Sequence, residues 1–231
     1  MKSAKKILVL LLCAVLLVGA SVAGTVAYLT SQGTVVNTFT VGQVAIELHE
    51  TGEETRENGT VGLDLHLLPG IPVDKDPTVT VKKGSEDSYV RVNVKVSDVE
   101  KLKAAFAGLT YTGVHGENLP YVTDGMFNLH LIIEGWKAED WAFESYDNGV
   151  YEFRYVGELA EDGVVPKNEA ADTMLPALFT KVVLPTDMTN ELIKNLENVT
   201  ITVTADAIQA DGFAANGEKT AADVAWEAFG D

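Results

Sequence analysis

The sequence predicts an antiparallel β-sandwich carrying two or three short helices, and three observations predict it. Apolar and polar residues alternate with period two in most segments between Val41 and Ala207, as half-buried strands require. Gly, Pro and Asn clusters such as Pro69-Gly70 and Asp147-Asn148-Gly149 punctuate those segments at turn spacing. Helical spacing appears only in residues 98–107, 187–196 and 220–229. About nine strands with minor helices fit a sandwich better than any helical or mixed architecture.

The chain opens on a leader. Lys2, Lys5 and Lys6 form a positive n-region, and Ile7 to Ala23 is an apolar run that continues less strongly to Leu29. Small residues suit signal-peptidase cleavage either after Ala27, before Tyr28, or after Ala23, before Gly24. An uncleaved anchor is the alternative, since about 20 apolar residues can span a bilayer. The sole cysteine, Cys13, lies in mid-run after Leu10, Leu11 and Leu12, which does not suit a lipidated cysteine. The rest of the chain then has neither disulfide nor thiol chemistry.

Three segments follow from this reading: a signal peptide over 1–27, an extended N-terminal segment over 28–42, and one β-sandwich domain over 43–231. In the body, Val44, Ile46 and Leu48 alternate with Gln43, Glu47 and His49 as a half-buried strand. TGEETRENGT at 51–60 is a polar loop, and Leu63, Leu65 and Leu67 mark another strand. Thr78–Lys82 and Tyr89–Ser97 form the clearest pair, joined by Gly84–Ser88. Val90, Val92, Val94 and Val96 face the core, and Arg91, Asn93, Lys95 and Ser97 face the other way. A one-residue slip would put four valines in water, so the register is well specified.

Val99, Leu102 and Phe106 predict a short helix with Asp98 as N-cap and Gly108 as stop. Strands are expected over Phe127–Glu134 and Val150–Val156, the second preceded by the Asn148-Gly149 hairpin signal. Gly157–Ala171 reads as an acidic loop and Leu178–Leu184 as a strand. A helix over 187–196 turns Leu192, Ile193 and Leu196 inward. Val199–Ala207 is a strand, and Thr220–Phe229 a terminal helix.

The net charge of −17 becomes −20 when Lys2, Lys5 and Lys6 leave with the leader. Such acidity argues against nucleic acid and against anionic membrane surfaces as partners. Catalytic signals are sparse. His49, His66, His115 and His130 lie in no HExxH pattern, so zinc-protease geometry is absent, and no GxSxG elbow exists. His66 and His130 read as strand residues. Asp74 with Asp76, and Glu161 with Asp162, cluster carboxylates in loops without the alternating ligands of a calcium loop. LPTD at 184–187 falls mid-chain, without the apolar segment and basic tail of a wall-sorting signal. No catalytic, cofactor or metal residue is assigned.

VAYLTS at 26–31 and VVNTFTVGQVAIELHE at 35–50 resemble the TasA/camelysin family of secreted Gram-positive matrix proteins. LLPGIPVDKDPTVTVKKGSEDSYVRVNVKV at 67–96 and VTITVTADAIQADGF at 199–213 strengthen the likeness. The resemblance implies a jelly-roll sandwich, a leader removed between Ala27 and Tyr28 by a SipW-type signal peptidase, and an extracellular fibre subunit of biofilm matrix. Cleavage there frees an extended, β-prone end containing Tyr28, Leu29, Thr30, Val35, Val36 and Phe39. Such an end is suited to adding as a strand to the sheet edge of another copy. Donor and acceptor surfaces differ, so the contact is head-to-tail and grows a filament. Expected partners are further copies of the chain, the signal peptidase and an anchoring or nucleating matrix protein. The membrane is met only through an uncleaved leader. The alternatives are a monomeric surface adhesion module binding glycan or a protein, which Trp136, Trp141 and Tyr146 would serve if exposed but which equally suit the core, and a camelysin-type metalloprotease.

Overall fold

The computed structural model describes residues 43–55, 61–62, 67–112 and 118–229. The leader, the 28–42 segment, Leu63–His66 and His115 lie outside them. In chain order the elements begin with β1 (Ile46–His49), β2 (Glu54–Thr55), β3 (Val61–Gly62), β4 (Val73–Asp74), β5 (Thr78–Val81) and β6 (Ser88–Val96). After α1 (Val99–Ala105) come β7 (Thr110–Thr112), β8 (Asn118–Pro120), β9 (Val122–Thr123) and β10 (Met126–Phe127). A 3-10 turn (Leu129–Leu131) leads into β11 (Ile133–Glu134), β12 (Trp141–Asp147), β13 (Val150–Tyr155), β14 (Val164–Val165), β15 (Thr173–Met174) and β16 (Lys181–Val182). α2 (Asn190–Lys194), β17 (Ile201–Gln209) and α3 (Ala221–Phe229) complete the chain.

The fold is the expected all-β sandwich, and β6 is its centre. Its four inward valines are at most 3 % exposed. β13 pairs with one side of β6, and β14 continues that lane after an excursion of the chain. β17 pairs along the whole of the other side, from Ile201 opposite Val96 to Gln209 opposite Ser88. β12 joins β13 at the outside, giving the order β12-β13-β6-β17. The opposite layer comes from the short antiparallel sheets β1-β5-β15 and β11-β16-β4. Val79, Val81, Ile133 and Val182 of that layer share one core with the β6 valines.

Local chemistry sets the joints. Asp98 caps α1 by accepting from Lys101 N at 3.0 Å. Val99, Leu102 and Phe106 then turn inward, and Phe106 meets Tyr121 and Phe127 with ring centroids 4.9 Å away. Asn148 and Gly149 have φ of 44° and 89°, the paired left-handed residues of a type I′ hairpin. A Cβ on Gly149 would meet Val96 O at 3.2 Å and Val99 Cβ at 3.3 Å, so glycine is required there for space as well as for φ.

Four expectations need correction. Residues 127–134 are not one strand: Phe127, Leu129, Leu131, Ile132 and Ile133 are all buried, so apolar side chains point both ways and period two is lost. Asn128 fixes the break, its Nδ2 donating to Pro120 O at 2.7 Å and Thr123 Oγ1 at 2.9 Å. His130 therefore sits on the 3-10 turn and not in a strand. Leu178–Leu184 shortens to β16, because Leu178 and Phe179 both enter the core, leaving no alternating face. The 157–171 loop contains β14. Finally, Arg91 does not face water. It is 7 % exposed beneath α3, its Cζ 4.5 Å from the Trp226 ring centroid.

Candidate subunit interface

The sheet β12-β13-β6-β17 has two edges. On β17 the ladder pattern decides which backbone groups are free. Ser97 N donates to Thr200 O at 3.0 Å and Ala210 N to Asp87 O at 2.7 Å. In an antiparallel pair the bonded residues alternate. The even-numbered residues of β17 therefore bond to β6. Ile201, Val203, Ala205, Ala207 and Gln209 point their N–H and C=O groups away from it. Among the described residues, no strand pairs with that side of β17.

The side chains match this half-finished state. Ile201, Val203, Ala205 and Ala207 turn toward the core but are only partly buried against it. β1 lies beside β17 in the other layer. Lys82 N donates to Ala45 O at 2.9 Å, so the same alternation leaves the backbone groups of Ile46 and Leu48 outward. Their side chains too are partly buried on the core. Along this flank, apolar side chains lie together with backbone groups that have no partner among the described residues, the combination that a further strand satisfies.

Both ends of the flank are pinned. Where the described chain begins, Ser85 Oγ accepts from Ala45 N and donates to Ala45 O, each at 3.1 Å, and Glu86 N donates to Gln43 O at 3.1 Å. Beyond β1, Lys75 Nζ and Glu50 Oε1 form a buried ion pair of 2.6 Å. Asp76 accepts from Thr51 N at 2.8 Å and Thr51 Oγ1 at 2.7 Å, which gives this carboxylate a structural partner. His49 Nδ1 lies 2.8 Å from Glu53 Oε1, and that hydrogen bond raises the imidazole above its ordinary pKa.

The donor residues expected from the sequence, Tyr28, Leu29, Thr30, Val35, Val36 and Phe39, lie outside the described residues, as does the Ala27–Tyr28 cleavage point. The acceptor flank was not singled out in the sequence, although the VTITVTADA alternation already marked its strand. Of the aromatics that an adhesion surface would use, Trp141 belongs to the core: it is 0 % exposed with Nε1 donating to Pro176 O at 2.9 Å. Trp136 and Tyr146 pack partly buried against the core. LPTD is fixed framework. Gly70 N donates to Leu184 O at 2.8 Å, and a Cβ on Gly70 would lie 2.6 Å from Thr186 Cγ2. Among the described residues, no group of three or more His, Cys, Asp or Glu side chains is placed to hold a metal ion.

No protein-family model, no curated protein and no solved structure matches this chain. The likeness to the TasA/camelysin family rests on the sequence stretches quoted above.

Proposed function

We propose that this protein is a secreted structural subunit that assembles head-to-tail into extracellular matrix or surface fibres. In this reading a SipW-type peptidase cleaves before Tyr28, and the freed segment 28–39 of one copy adds to the outer side of β17 in the next. The observation that carries the reading is the flank of β17, where five residues offer outward backbone groups beside half-covered apolar side chains. Backbone hydrogen bonds supply the affinity, and Val35 and Phe39, which share one face of an extended strand, supply apolar cover for Ile201, Val203 and Ala205. The leader delays assembly, because it tethers the donor end to the membrane until cleavage. An anchoring or nucleating matrix protein offers the first free edge. The proposed role is architectural, with no catalytic step.

Two forms of the chain test this, one beginning at Tyr28 and one at Val41, followed by light scattering and negative-stain microscopy across pH and salt. Filaments from the first form alone are the expected result. Filaments of equal abundance from both forms would remove the donor role of residues 28–39.

A further inference from the structure

On the outer face of the sheet, α3 does not seal flat against β6 and β13. It leaves a cavity of about 540 Å³. Arg91, Arg154 and Lys219 line it, facing Glu152, Asp223 and Glu227. The helix begins at a reciprocal cap, Thr220 N donating to Asp223 Oδ2 at 2.8 Å and Asp223 N to Thr220 Oγ1 at 3.1 Å, and Asp223 ties that start to Arg154 of β13.

The hydrogen bonds around this cavity do not balance. Glu152 is used twice, Oε1 accepting from Arg154 Nε at 2.8 Å and Oε2 from Arg91 Nη1 at 3.3 Å. Asp223 Oδ1 accepts from Arg154 Nη1 at 2.5 Å, and its other oxygen is taken by Thr220. Asp206 Oδ2 accepts from Arg91 Nε at 3.0 Å. Glu227 pairs with Lys219. The carboxylates are thus largely occupied, while each guanidinium carries five N–H donors. Among the described residues, neither Arg91 Nη2 nor Arg154 Nη2 has an acceptor. The wall offers donors and asks for oxygen.

Charge says which oxygen. Three cations face three carboxylates in the cavity, and Asp206 and Glu144 add two more acids beside the arginines. The whole chain carries −17. An anion entering this field is repelled, whereas a neutral ligand rich in hydroxyl groups is not. Adjacent hydroxyls of a pyranose match the spacing of a guanidinium fork. An apolar surface for the C–H face of the ring stands next to the cavity. Phe229 does not line it but adjoins the lining residue Trp226: it is 45 % exposed, its ring 5.6 Å from Trp226 and 5.2 Å from Arg91 Cζ. The volume falls within the roughly 300–1,000 Å³ of small-ligand sites.

We infer that the cavity under α3 is a binding site for a short neutral saccharide, held by the free guanidinium donors of Arg91 and Arg154 and by the ring of Phe229. This site lies on the outer face of the sheet and does not depend on the fibre reading.

Isothermal titration of the protein with maltohexaose, cellohexaose and N-acetylchitohexaose tests it, with hexagalacturonate as the anionic counter-probe. Saturable binding of at least one neutral hexasaccharide is expected, with Kd below about 1 mM. Arg154→Met is expected to weaken that binding by about tenfold or more, as loss of hydrogen bonds to a charged donor implies. Arg154→Met also removes the partner of Glu152 Oε1 and of Asp223 Oδ1 and can undock the helix. Phe229→Ala, at a ring 45 % exposed and bonded to no carboxylate, is therefore the deciding variant, with an expected loss of about threefold while the protein remains folded. Absence of binding to all three neutral sugars overturns the inference. So does tighter binding of hexagalacturonate, or affinity in Phe229→Ala equal to that of the unaltered protein.

Discussion

The two edges of one sheet are built in opposite ways. β12 pairs with β13 through a register shift between Phe143 and Ser145, a bulge that bends the strand away from any straight partner. Glu144 sits on that bulge, 3.8 Å from Arg154. β17 runs nine residues without a break, carries no bulge and turns threonines, not lysines, to its outer face between Thr202 and Thr204. Natural sheets blunt their edges with bulges and charges because a straight bare edge recruits other chains. β12 is blunted and, among the described residues, β17 is not, so the proposed assembly is expected to use the β17 side.

The largest effect is expected at Ala205. Its N–H points away from β6, so Ala205→Pro removes an outward donor and leaves the β6 ladder intact. Filament growth by light scattering should fall by about tenfold or more, since each 1.4 kcal/mol lost is a factor of ten. The mirror experiment on the blunted edge, Glu144→Ala, should leave growth within about twofold, a value typical of a surface change. If the two variants behave alike, the two edges are not functionally distinct.

The framework beside the open flank gives the next test. Lys75 and Glu50 are each under a tenth exposed and bonded to one another. Lys75→Met strands a buried carboxylate and should destabilise the fold by about 3–5 kcal/mol in denaturant titration, and Lys75→Met with Glu50→Leu should recover much of this. A loss below 1 kcal/mol in the single variant would mean that the pair is solvated.

A smaller effect concerns α3, which braces β17 from outside. The Arg154 guanidinium beside Asp223 holds its carboxyl down at about 2. A depressed acid contributes stability above its unfolded pKa and loses it as pH falls through the folded value. Docking of α3, followed by near-ultraviolet dichroism of Trp226, should therefore weaken between about pH 4 and pH 2. Asp223→Asn should be weaker at neutral pH and flat across that window. The smallest effect is at His49. Glu53 raises its pKa, so the pair stabilises below the ordinary histidine value and fades as pH rises through the raised one. Glu53→Gln should bring the His49 titration, read by proton NMR, back toward its ordinary midpoint.

Much of the fold was legible in the chain. Four valines at period two fixed the inner face of β6, Asp98 with Val99, Leu102 and Phe106 fixed α1, and Asn148-Gly149 fixed the hairpin. What failed was long-range. Arg91 occupies a polar slot of an alternating strand and so reads as solvent-facing, yet Trp226, 135 positions later, covers it. Residues 127–134 and 178–184 place apolar side chains on both sides, which period two cannot describe. For the interface, the strand at Val199–Ala207 was readable, but its position at an edge was not. Edge status depends on which distant strands pair, and in a sandwich those pairings are non-local.

Amide hydrogen exchange along β17, compared between subunit and filament, tests the central claim most directly. The account predicts that Ile201, Val203, Ala205 and Ala207 exchange fast in the subunit and become protected in the filament. Thr202, Thr204 and Asp206, already bonded to β6, should be protected in both. An unchanged pattern, or new protection confined to β12, would contradict it.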